Sequence, residues 1–181
     1  MIGFLLLIAC IAWVIIKIAK NKDNKPASIR IPEIQNSSSI RDVVMAVNHG
    51  RVYPYTTGMT LEQVKKIVLR SYQNTAQFES SLQMYELIGY MPSIDLPSTP
   101  NRFIGRISMN LNRNKVISAI TINIRDFQMN KEYLVEQMFM KFGKPISIDR
   151  QFMIWREQYM VINIDATNGS ISVINERLFG C

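Results

Sequence analysis

Cysteine and histidine are scarce in this chain, with two Cys and one His among 181 residues. Cys10 lies inside the first apolar run and Cys181 is the last residue, so the sequence offers no disulfide framework. A zinc site needs several Cys or His ligands, and too few donors are present, so no metal is expected. Glycine is equally thin: Gly3, Gly50, Gly58, Gly89, Gly105, Gly143, Gly169 and Gly180 are dispersed, which excludes a glycine-rich phosphate loop. No cofactor is therefore expected. A dense Lys/Arg stripe with interleaved aromatics is also missing, although the formal charge is +7. Residues 17–30 hold five Lys/Arg against one acid, a net +4, and residues 31–181 hold sixteen against thirteen, only +3. A nucleic-acid partner is not expected from so mild a balance.

Catalytic sets are missing in the same way. His49 precedes Gly50 and reads as a helix end or turn residue. Ser37-Ser38-Ser39 has no base partner. Glu79, Glu86, Asp95, Asp126, Asp149 and Asp165 could meet only through the fold.

What is present in abundance is a long apolar run. Residues 1–19, MIGFLLLIACIAWVIIKIA, are apolar except at Lys17. As a helix this run reaches about 28 Å, close to the ~30 Å hydrocarbon core of a bilayer. It lacks the basic n-region and small-residue cleavage site of a signal peptide. Leu7-Ile8-Ala9-Cys10 resembles a lipobox, but the apolar run continues past Cys10. The expectation is an uncleaved single-pass transmembrane anchor. Lys17 in its last turn and Lys20, Lys22, Lys25 and Arg30 after it are basic, and no Lys or Arg lies before them, so the positive-inside rule puts the C-terminal domain in the cytoplasm. These residues also suit an anionic membrane surface. Lipidation of Cys10 would instead place the domain in the periplasm.

Residues 20–37 are polar, aperiodic and contain Pro26 and Pro32, as a linker does. Residues 38–181 then suffice for one domain with a core. Ser38 or Ser39 is expected to cap a helix over 39–48, and Tyr53 to Gly58 to form a loop. Thr60-Leu-Glu-Gln63 has the capping-box form, and Leu61, Val64, Ile67, Val68 and Tyr72 make one apolar helical face. In residues 76–91, Phe78, Leu82 and Tyr85 suit a helix, whereas Leu82, Met84, Glu86 and Ile88 suit a strand; a strand from about 82 is expected. Alternation over 103–111 and 116–124 about Asn112-Arg113-Asn114 predicts a β-hairpin. Asn130 is expected to cap a helix over 131–142, stopped by Gly143 and Pro145. Strands follow at about 150–156, 159–165 and 171–178.

Residues 58–124 and 130–178 repeat one element order with similar apolar spacing, which suggests a duplicated unit. The expected fold class is α+β: an N-terminal transmembrane helix, then two α-β-β-β-like units forming an antiparallel sheet with helices packed on one side.

Gly58-Met59-Thr60 followed by Val64 resembles the helix-opening motif of the SmpA/BamE group of small outer-membrane assembly lipoproteins. Phe142-Gly143-Lys144-Pro145, with Trp155 on the following strand, resembles the helix exit of that group and of the tandem-repeat β-lactamase-inhibitor-protein-like fold. The resemblance implies a bacterial envelope protein that binds or scaffolds, with a sheet face gripping a partner. The chain departs from those lipoproteins in its uninterrupted apolar helix, which implies the inner membrane.

Eleven methionines fit core filling better than a partner groove. Tyr53, Tyr55, Trp155, Arg156 and Tyr159 are the expected protein-binding residues, since Tyr, Trp and Arg dominate binding hot spots. The function these observations favour is a membrane-anchored, non-enzymatic binding protein, with a toxin-neutralising immunity or inhibitor protein as its concrete form. A structural subunit of a bacterial envelope or secretion complex is the first alternative, and a hydrolase with a carboxylate site the second.

Overall fold

In the computed structural model, residues 39–88, 93–97, 99 and 101–179 are described. They belong to a compact unit spanning residues 34–181. The apolar run, the basic flank (Lys17, Lys20, Lys22, Lys25, Arg30), the linker and both cysteines lie outside the described residues. Among the described residues no helix is long and apolar enough to cross a membrane.

Ser39 opens the first helix, α1 (Ile40–Ala46), through a reciprocal capping box with Asp42. The helix ends two residues before the predicted boundary. Val47 and Asn48 turn extended as β1 (Val47–Asn48) and pair with β2 (Arg51–Val52). The predicted loop 53–58 needs correction as well. After the Tyr53–Pro54 turn the chain returns as β3 (Tyr55–Thr56), completing a small antiparallel sheet of order β1-β2-β3. Val47, Val52 and Tyr55 supply its buried side chains.

Thr60 and Gln63 form the predicted capping box at the start of α2 (Leu61–Ser71), and Leu61, Val64 and Val68 are buried as the periodicity requires. The expected strand from 82 is a helix instead, α3 (Ala76–Ile88). Two apolar sets overlap here. Phe78, Leu82 and Tyr85 pack inward at helical spacing, while Met84, Leu87 and Ile88 face outward, so an apparent alternation arises from two sides of one helix. Asn74 supplies the start, its side-chain oxygen accepting from the Ala76 N–H at 3.2 Å.

The main sheet has seven strands, each pairing antiparallel with its neighbours: β4 (Ile94–Leu96), β5 (Ile104–Leu111), β6 (Ile117–Ile124), β7 (Ser147–Ile148), β8 (Phe152–Glu157), β9 (Met160–Asp165) and β10 (Ser170–Asn175). Their order is β4-β5-β6-β10-β9-β8-β7. The predicted β5–β6 hairpin is present, but a bulge at Gly105 pairs Ile104 with Ile124 and Arg106 with Asn123. The slip puts Ile104 rather than Phe103 and Gly105 in phase with the buried set.

Between β6 and β7 runs α4 (Phe127–Phe142), which starts four residues before the predicted boundary. Asp126 takes a left-handed conformation (φ 51°) without a side-chain capping bond. Asn130 is not the cap; it lies inside the first turn and donates back to the Asp126 carbonyl at 2.9 Å. Burial of Phe127 fixes this entry, and Gly143 (φ 74°) ends the helix as expected. A short 3-10 turn, Glu176–Leu178, follows β10, whose predicted extension to 178 is thereby cut short.

One face of the sheet carries the core in two rows set by the register. Ile94, Met109, Ile120, Val173, Ile162 and Trp155 form one, and Leu96, Ile107, Ile122, Ile171, Ile164 and Met153 the other. Ile40, Val43 and Val44 of α1, Val64 and Val68 of α2, Phe78 of α3, and Leu134 and Met138 of α4 join the same cluster. Met109 and Met138 thus fill core, whereas Met45, Met84, Met129 and Met140 are exposed.

Candidate binding face

The period of two in the strands places a second, polar set on the face turned away from the helices. The same register links Asp95, Ser108, Thr121, Ser172, Asn163, Ile154 and Ser147 into a single row that crosses all seven strands. A second row runs Arg106, Asn123, Ser170, Asp165, Phe152, and a third runs Asn110, Ala119, Ile174, Val161, Arg156. The middle of this face is built from short hydroxyl and amide side chains. The Thr121 and Ser172 hydroxyls share a hydrogen bond at 3.0 Å. The Asn163 side-chain oxygen is buried and has no hydrogen-bond partner among the described residues.

Charge sits at the margins. Near β4, Arg106 lies 3.7 Å from Asp95, which also accepts from the Gln77 amide at 3.2 Å. Burial pushes the Asp165 carboxyl up, but the N–H and side-chain amide of Asn168 and the N–H of Thr167 donate to it and hold it below its ordinary value. At the far corner Arg156 reaches across β9 to Glu176 and pairs with it bidentately at 2.8 and 2.9 Å. Val161 lies on the strand that this pair spans, and it is buried although it is not part of the main core. Beside it the Arg177 guanidinium stacks 4.0 Å from the Tyr159 ring centroid.

Of the five residues predicted to bind a partner, Arg156 and Tyr159 come together at this corner. Tyr55 is fully buried in the small sheet, and Trp155 is core, its ring edge-on to Phe139 and its indole N–H donating to the Gly143 carbonyl at 2.8 Å. Neither can offer contact surface. Tyr53 is half-buried under the Arg51 guanidinium, away from the corner's residues in the chain. Sequence reasoning passed over Ser108, Thr121, Asn163 and Ser172. Their signal in the sequence is the polar half of each alternating strand.

The lone histidine occupies a turn, as predicted. His49 Nδ1 lies 2.8 Å from a Glu157 carboxylate oxygen, and its ring meets Phe142 edge-on. Among the described residues no group of three or more His, Cys, Asp and Glu could hold a metal ion. A shallow cleft of about 140 Å³ lies beside the start of α2, lined by Thr60, Glu62, Lys65, Tyr85, Glu86 and Lys115 among others. It brings two acids together, but Lys65 bridges both, 3.1 Å from Glu62 and 3.8 Å from Glu86.

No family model matches the chain, and no curated protein matches it. Among solved structures it is similar to the C-terminal domain of TagH, at 12% identity and a TM-score of 0.30. That alignment covers 68% of this chain and 65% of the other, and the score is too low to equate the two folds.

Proposed function

We propose that this chain is a membrane-anchored, non-enzymatic binding protein that receives a protein partner on the sheet face turned away from its core. A toxin-neutralising immunity or inhibitor protein is the concrete form of this reading. The observation that carries it is the row from Asp95 to Ser147, short and polar on six of its seven strands and broken only by Ile154 on β8. Short side chains lose little rotamer freedom when covered, and they offer donors and acceptors across a broad surface. Charged pairs at the margins supply orientation more than affinity.

The strand order supports the duplicated unit. β4-β5-β6 follow α2 and α3, β8-β9-β10 follow α4 and the two-residue β7, and the last strands of the two sets, β6 and β10, meet antiparallel at the seam. The anchor and the cytoplasmic side rest on the apolar run and the basic flank that follows it.

Residues 34–181, one compact unit with its own core, provide the bait. A stoichiometric partner held by the native face and lost on Ser172→Arg or Thr121→Arg, with unchanged circular dichroism, supports the proposal. No such partner, or capture indifferent to both substitutions, counts against it. Exchange of residues 1–19 for an unrelated span separates the tethered binder, which keeps working, from a complex subunit, which does not.

A further inference from the structure

Two of the last carbonyls of α1, and that of Val47 just after it, converge on a single nitrogen. Lys141, from the final turn of α4, donates to the Val44 carbonyl at 2.9 Å, to the Met45 carbonyl at 3.3 Å and to the Val47 carbonyl. An ammonium group has three N–H donors, and here three backbone oxygens receive them. The Phe142 ring forms a wall, its centroid 5.1 Å from Nζ. No carboxylate pairs with Lys141 among the described residues, so the negative end of the helix and the ring quadrupole alone face its charge.

We propose that the C-terminal end of α1 is a primary-ammonium site of this fold, filled in cis by Lys141. Three oxygens around a point demand a cation that donates three hydrogen bonds. A guanidinium fork has the wrong shape, and a quaternary ammonium has the charge but no donors. The site joins α4 to α1 across some 97 residues of chain. It therefore fixes the first described helix to the last. It is independent of the polar sheet face, so it stands or falls apart from the partner reading.

Chemical rescue in the full chain tests this. Lys141→Ala is expected to lower Tm by about 4–8 °C, the scale of a lost multiple contact in a domain of this size. Methylammonium chloride should recover at least half of that loss, and tetramethylammonium chloride at the same concentration none of it. Equal effects of the two salts, or no effect of either, overturn the proposal. Should the alanine variant not fold, Lys141→Met retains the stem and removes the donors. Its amides over residues 44–48 should then exchange with solvent at least tenfold faster than in the parent, while those of β6 and β10 do not change. Unchanged exchange over 44–48 overturns the proposal equally.

Discussion

Arg156 and Glu176 are separated by two strand spacings, and their side chains close over the strand between them. Arg156 belongs to β8, Glu176 follows β10, and the bidentate contact at 2.8 and 2.9 Å passes across β9 where Val161 is buried. Both partners are more than 40% exposed, 46% and 42%, so water screens the charges. Glu176→Gln is accordingly expected to cost only about 0.2–1 kcal/mol in urea unfolding. Arg156→Ala should cost somewhat more, because it also strips the aliphatic stem from Val161. A loss above about 2 kcal/mol for the glutamine variant would show that the pair does more than shield one side chain.

Trp155 links the end of α4 to β8 in a different way. Its indole N–H meets the Gly143 carbonyl at 2.8 Å while its ring contacts Phe139 and Phe142. Trp155→Phe keeps an aromatic in the core and loses the hydrogen bond, so about 1–2 kcal/mol is expected. Trp155→Ala should cost about 3–5 kcal/mol. Equal losses for the two variants would mean that the hydrogen bond, not ring burial, carries the stability.

The helical assignment of residues 76–88 has a direct test in two substitutions. Phe78 is 3% exposed and Leu87 is 81% exposed. Phe78→Ala should destabilise by about 3–5 kcal/mol and Leu87→Ser by no more than about 0.5 kcal/mol. In a strand from 82, Leu82 and Met84 would share one face and respond alike. In the helix, Leu82→Ala should cost well over 1 kcal/mol more than Met84→Ala, since only Leu82 packs against the core.

Acid should loosen the β9–β10 turn through Asp165. Its carboxylate accepts from the Thr167 and Asn168 N–H groups and from the Asn168 amide, and its folded pKa is lowered. An unfolded Asp titrates near ~3.9. Below that value the unfolded chain binds the proton more readily than the folded one. The contribution of Asp165 is thus fully present above pH ~4 and is lost as pH falls through the lower, folded pKa. Asp165→Asn should flatten the stability profile in that acid window and leave the slope between pH 5 and 8 unchanged.

The legible parts of this fold were those where one local rule acted alone. Thr60 with Gln63 and Ser39 with Asp42 cap their helices as short-range patterns dictate, and the isoleucines of β6, β9 and β10 alternate because one face is buried. The misread parts are those where tertiary contact overrides the local signal. Gly105 shifts the phase of β5 by a bulge, buried Phe127 starts α4 early, and the outward Met84 and Leu87 hide the helical stripe of α3. The polar face was harder still. Ser108, Thr121, Ser172 and Asn163 are ordinary residues on separate strands, and only the β6–β10 pairing, a contact between the two halves of the chain, puts them in one row. Tyr55 and Trp155 illustrate the converse error: aromatic type suggested an interface, and burial made them core.

Tyr55 offers the sharpest energetic contrast. Its side chain is fully buried, and its hydroxyl has no partner that meets hydrogen-bond geometry among the described residues. Burial first, and then the neighbouring Tyr72 hydroxyl, push its pKa far above the ordinary tyrosine value, so the phenol stays protonated throughout the physiological range. A buried hydroxyl without a partner costs about 1–3 kcal/mol of desolvation. Tyr55→Phe removes that cost and keeps the ring, so it should leave stability unchanged or raise it by up to about 1 kcal/mol, and Tyr55→Ala should lower it by about 3–5 kcal/mol. A loss of more than about 1 kcal/mol in the phenylalanine variant would mean that the hydroxyl is bonded in solution, with the neighbouring Tyr72 hydroxyl as its partner. Tyr72→Phe should then show a matching loss, and the double variant should cost no more than either single one.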